Sequence, residues 1–216
     1  MLKIQQKKYL DDIQIYHRGN NAFTFQNFYN LSQLYYRIGE LDVSIDILDQ
    51  IVDQNIDSSE SAYFYGLLYK AKKNNTIDDL MTYVDITDDT TRKKQCYWQM
   101  IRTIKKNDND PSLEAQLYLK AVNLYDEEYK YLASLLNGFA WRMTEIGQLL
   151  PKALEKVNYA LEIKEDLKIL DTKAEVLWKL GRVEEAIEVI NECIQGNPEY
   201  QHYQDQKAKF LATKAL

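Results

Sequence analysis

Residues 167–198 run LKILDTKAEVLWKLGRVEEAIEVINECIQGNP, and the fold is decided there. Leu170, Ala174, Leu177 and Leu180 recur at three- and four-residue steps, which places them on one face of a helix. Gly181 breaks the pattern, which resumes as Ala186, Ile187, Ile190 and Cys193 and closes at Pro198. A left-handed glycine past a helix caps free carbonyls without a steric cost, and proline cannot continue a helix. The stretch therefore predicts a helix, a tight turn and a second helix.

Working outward, the same phrase returns at a fixed interval. Ala140 and Gly147 precede Ala174 and Gly181 by 34 positions. Nearer the N-terminus, Phe28, Leu31, Ser32 and Tyr35 align with Ala62, Tyr65, Gly66 and Tyr69, and these with Cys96, Gln99, Met100 and Thr103, again 34 apart. Between the two halves the register slips by 6, which longer turns at Asn107 to Pro111 and around Pro151 absorb. A period of this length marks a stacked repeat architecture.

Composition agrees. Only 7 of 216 residues are Gly and 3 are Pro, which excludes collagen-like chains, flexible linkers and turn-dense β folds. With 45% apolar and 28% charged residues the chain is an ordinary folded one. A net charge of −6 and a pI near 5.1 argue against a general phosphate-backbone binder. The N-terminal residues carry no signal-like apolar run, and no stretch is apolar for long enough to span a membrane. Neither nucleic acid nor membrane is an expected partner, and a reducing cytoplasm is the default compartment. An exported form with a leader or upstream domain missing remains compatible with the sequence.

These residues resemble the tetratricopeptide repeat (TPR) family, in which small residues face each other between paired helices, a Gly marks the turn and Ala recurs seven apart in the second helix. The segment from Leu136, Asn137, Ala140 and Trp141 through Ala153 and Ala160, followed by Leu170 to Pro198, carries the resemblance best. The first repeat has Ser44 where Ala is usual; the second has Asn74 and Asn75 in place of the turn Gly, and Asp78 or Leu80 where Ala is expected. The resemblance implies an all-α fold: a right-handed α-solenoid of five helix pairs over 25–57, 59–90, 93–127, 130–165 and 167–198. Residues 1–20 are expected to form an amphipathic N-terminal helix and 199–216 a polar capping helix, of the kind terminal repeats need for solubility. The whole is expected as one domain.

Catalytic chemistry finds no foothold, and no enzyme activity, cofactor or metal is expected. The isolated glycines cannot form a phosphate-cradling loop. His17 and His202 lie at opposite ends of the array and are expected at the surface, while Cys96 and Cys193 fall at packing positions. Asp42, Asp46, Asp49 and Asp53 recur at helical steps and make a solvated face, not the alternating oxygens of a calcium loop. Asp108 and Asp110 read as caps or turn residues.

The resemblance also implies that the first helix of each pair lines a concave groove. The family's inward positions fall on Tyr29, Gln33, Tyr36 and Arg37 in the first repeat, Tyr63, Leu67 and Lys70 in the second, and Lys94, Tyr97, Ile101 and Lys105 in the third. In the fourth and fifth they include Asn137, Trp141 and Trp178. Tyr29, Tyr63 and Tyr97, 34 apart, are expected as a row of rings able to hold a peptide. Capture of acidic chaperone carboxyl tails is not expected, because of the family's clamp residues only Lys94 is matched; Tyr29, Gln33, Tyr63 and Trp98 occupy the other places. The expected function is a non-catalytic scaffold that holds a partner peptide or domain. A sensor of a small ligand or peptide signal, and the C-terminal module of a larger enzyme such as a thioredoxin-like protein, stand as alternatives.

Overall fold

A computed structural model describes residues 25–55, 58–107 and 110–214. Among them every regular element is an α-helix, and there are eleven. The expected helix over 1–20 lies outside the described residues. The helices divide into two compact units after Asn107.

The first unit contains α1 (Phe25–Ile38), α2 (Leu41–Asp53), α3 (Ser59–Asn74), α4 (Asp78–Ile86) and α5 (Thr90–Asn107). Its turns follow the sequence. Gly39 takes φ 94° between α1 and α2, a conformation glycine adopts without strain. Where the second repeat lacks glycine, Asn75 ends α3 at φ 58°, since asparagine tolerates the left-handed region better than most residues. Ser32 and Ser44 meet at the crossing of α1 and α2, both fully buried, and each hydroxyl donates to the other's carbonyl at 2.9–3.0 Å. Serine thus replaces alanine without leaving a buried hydroxyl unpaired. Ile45, Leu48 and Ile51 of α2 pack on Ala62 and Tyr69 of α3, and each large apolar side chain buried this way contributes about 1.5–3 kcal/mol.

The second unit contains α6 (Pro111–Val122), α7 (Leu132–Ile146), α8 (Leu150–Ile163), α9 (Leu167–Lys179), α10 (Val183–Gly196) and α11 (Gln201–Lys214). Asp110 caps α6 by accepting from the Leu113 amide at 2.9 Å, with Pro111 at the first helical position. Gly147 and Gly181 occupy the left-handed turns at φ 65° and 77°. Ala174, Leu177, Ala186, Ile190 and Cys193 form a core that Tyr203 and Phe210 of α11 complete. Glu114 of α6 is buried, yet Arg142 of α7 grips both its oxygens, Nε at 2.7 Å and Nη2 at 2.9 Å. Gly138 of α7 sits beneath the Tyr118 hydroxyl of α6, 3.7 Å from where a Cβ would stand.

Candidate functional site

In the first unit the first helices of the pairs, α1, α3 and α5, lie side by side. Their aromatic side chains interlock across the helices. Tyr29 packs on Tyr65 with ring centroids 5.0 Å apart, and Tyr36 stacks on Tyr69 at 4.3 Å. Gln33 donates to the Tyr69 hydroxyl. Burial pushes the Tyr69 phenol up to about 12 and raises Tyr29 too, so both keep their protons at neutral pH. Tyr63 is 48% exposed and leans toward Tyr83 of α4 at 6.3 Å, while Tyr97 is half-buried and its phenol is raised by that burial. The tyrosines spaced 34 apart are therefore engaged by different neighbours, Tyr29 by Tyr65 and Tyr63 by Tyr83.

The remaining expected groove residues of this unit divide. Leu67 and Ile101, 6% and 3% exposed, are core residues and present nothing to a partner. Lys70 is paired with Asp49 at 2.8 Å, and Lys94 is half-buried. Arg37 and Lys105 are exposed. The open face of α5 runs instead through Gln95, Gln99, Arg102 and Lys106, about 100° round the helix for each residue of offset. That face, with Tyr36 of α1 and Leu68, Tyr69 and Lys72 of α3, lines an open cleft of about 460 Å³. The signal was present in the sequence: Gln95, Gln99, Arg102 and Lys106 form a polar stripe at helical spacing beside the buried stripe Cys96, Met100 and Ile104.

In the second unit α7, α9 and α11 occupy the equivalent places. Trp141 of α7 is 37% exposed and its indole donates to Glu145 at 3.1 Å. Asn137 Oδ1 is buried without a hydrogen-bond partner, and so is Asp171 Oδ1, one repeat further on. The other Asp171 oxygen lies 3.0 Å from His202 Nε2, and burial raises this carboxyl above its usual range. His202, expected at the surface, is thus half-buried and bonded, because α11 turns it onto α9. Trp178 is covered by the same helix: it stacks on Phe210 at 5.7 Å, donates to Thr213 at 3.0 Å and lies 4.3 Å from the Lys209 ammonium. It seats α11 rather than lining an open face.

Cys96 and Cys193 are fully buried and burial pushes both thiols up to about 12, so neither is a nucleophile at neutral pH. Among the described residues no cluster of His, Cys, Asp and Glu suits a metal ion, and no helix is long and apolar enough to cross a membrane.

Comparisons with known proteins bear on this arrangement. Residues 167–200 match the tetratricopeptide repeat family. No curated protein matches the chain. Among solved structures, YrrB, described as a TPR protein with an unusual peptide-binding site, is similar at 15% identity, with 93% of this chain and 97% of that one covered and a TM-score of 0.52. A thermophilic TPR protein of Thermus thermophilus aligns at 16% identity over 87% of this chain and 98% of its own, with a TM-score of 0.44. The chain accordingly has a tetratricopeptide repeat match at 167–200 within an all-helical fold similar to that of YrrB.

Proposed function

We propose that the protein is a non-catalytic interaction module that holds a peptide segment of a partner on the face made by the first helices of its pairs. The observation that carries this reading is that each unit leaves a large aromatic side chain open on a first helix, Tyr63 on α3 in the first unit and Trp141 on α7 in the second, at 48% and 37% exposure. Exposed Tyr and Trp offer large contact area at low entropy cost, and each has a polar group able to meet a peptide backbone.

Peptides selected on the folded protein from a randomised displayed library provide the test. Each selected peptide is expected to weaken about tenfold or more by fluorescence anisotropy with Tyr63→Ala if it docks on the first unit, or with Trp141→Ala if it docks on the second, while helical circular dichroism is unchanged. If the peptides bind both variants as they bind the wild type, the first-helix face is not the site.

A further inference from the structure

The cleft between α1, α3 and α5 has a charge opposite to that of the chain. Its lining includes Lys72, Arg102 and Lys106 and no carboxylate, in a protein of net charge −6. Three other cations of the same unit are neutralised internally: Lys70 by Asp49, Lys73 by Asp42, and Arg92 by Glu60 and Asp89. Arg102 and Lys106 take part in none of the ion pairs among the described residues, and both are exposed. Lys72 donates to the Tyr36 hydroxyl at 2.8 Å with its ammonium 4.1 Å from that ring's centroid, so its charge is held at the cleft wall and left unneutralised.

Helix-end lysines complement the macrodipole, which gives Lys72 and Lys106 a reason to stand in the last turns of α3 and α5. It gives none for Arg102, a turn earlier, nor for the absence of carboxylates from the wall. We infer that this cleft binds an acidic peptide segment, with two or more carboxylates spread across Lys72, Arg102 and Lys106 and an apolar or aromatic residue resting on Leu68 and Tyr69. The inference rests on the peptide-binding reading above and gives it a ligand class.

The cleft's other features favour a peptide over a compact anion. Phosphate sites are made where helix N-termini converge their amides, whereas α3 and α5 both end at this cleft and present carbonyl-rich C-termini to it. A concentrated dianion is disfavoured there, while separated carboxylates reach the side-chain cations without entering the carbonyl field. The amides of Gln95 and Gln99 both donate and accept, which matches a peptide backbone. Gln99 Nε2 is already turned to Thr103 Oγ1 at 3.3 Å, leaving its carbonyl to receive a backbone N–H.

The test uses fluorescence anisotropy on the full chain with three labelled peptides: one with Glu on either side of a Leu-Tyr pair, its Gln counterpart and its Lys counterpart. A labelled oligothymidine and unlabelled inorganic phosphate serve as a further probe and a competitor. The Glu peptide is expected to bind at least about tenfold more tightly than the others and to weaken about tenfold as salt rises from about 0.05 to 0.5 M. Arg102→Glu with Lys106→Glu is expected to abolish that preference, whereas the charge-matched pair Lys120→Glu with Lys152→Glu on the other unit keeps it. Equal binding of the Glu and Gln peptides, equal loss in both double variants, tighter binding of the oligonucleotide, or full competition by phosphate would each overturn the inference. So would failure of every peptide to bind. None of these outcomes touches the first-helix reading, which stands or falls on the library-selected peptides and the Tyr63 and Trp141 variants.

Discussion

Removing Arg142 should unfasten α6 from α7. The Glu114 side chain is only 4% exposed, and its two oxygens receive the guanidinium at 2.7 and 2.9 Å, while a third nitrogen bonds Glu145 at 2.9 Å. Hydrogen bonds to both carboxylates hold the Arg142 pKa above its ordinary value. Arg142→Ala leaves the Glu114 carboxylate buried without its counter-ion, a change that costs about 3–5 kcal/mol in comparable pairs. The guanidinium side chain is 24% exposed, so the lower end, about 3 kcal/mol, applies. With a urea slope of about 2 kcal/mol/M, the unfolding midpoint followed by circular dichroism drops by about 1.5 M. Glu114→Met with Arg142→Met removes both charges and keeps the volume, and it should recover more than half of that loss. A drop below about 0.5 M for Arg142→Ala, or a double variant as unstable as the summed singles, would refute the reasoning.

Two other perturbations follow from the backbone and from burial. Gly181 sits at φ 77°, so Gly181→Ala should destabilise by about 1–2 kcal/mol, whereas Gly138 has ordinary space for a Cβ inside α7 and Gly138→Ala should stabilise by about 0.5–1 kcal/mol; urea midpoints moving in the same direction would contradict this. Asp171 is held above its usual carboxyl pKa by burial first, with Glu175 adding to the rise and His202 and Lys209 opposing it. The folded state therefore keeps this proton longer than the unfolded chain does, and stability falls as pH rises through the folded carboxyl's titration above about 4. Asp171→Asn removes that dependence, so wild type should lose ground to the variant as pH is raised from about 3 to 6; parallel pH profiles would show that the carboxyl is not perturbed.

Much of the fold is legible in the chain because helix pairing is local. Ala140, Ala174 and their turn glycines declare the last pairs at a glance, and the step continues to Ala208, so α11 stacks as one more first helix. Asn75 shows how a left-handed turn persists where glycine is missing. The site is less legible, since a groove position fixed by counting repeats turns by about 100° when a helix is offset by one residue. Leu67 and Ile101 went into the core for this reason, and Gln95, Gln99, Arg102 and Lys106 emerged on the open side. The contacts of Trp178 and His202 depend on which α11 side chains turn onto α9, and the 34-residue step does not specify individual side-chain partners. The Arg142–Glu114 pair joins positions 28 apart, and nothing short of the packed helices brings them together.

Hydrogen exchange by mass spectrometry, on the full chain with and without a library-selected peptide, tests the first-helix face most directly. Protection concentrated in α1, α3 and α5, or in α7, α9 and α11, with α2, α4, α8 and α10 unchanged, is the expected result. Protection concentrated in those second helices would contradict it.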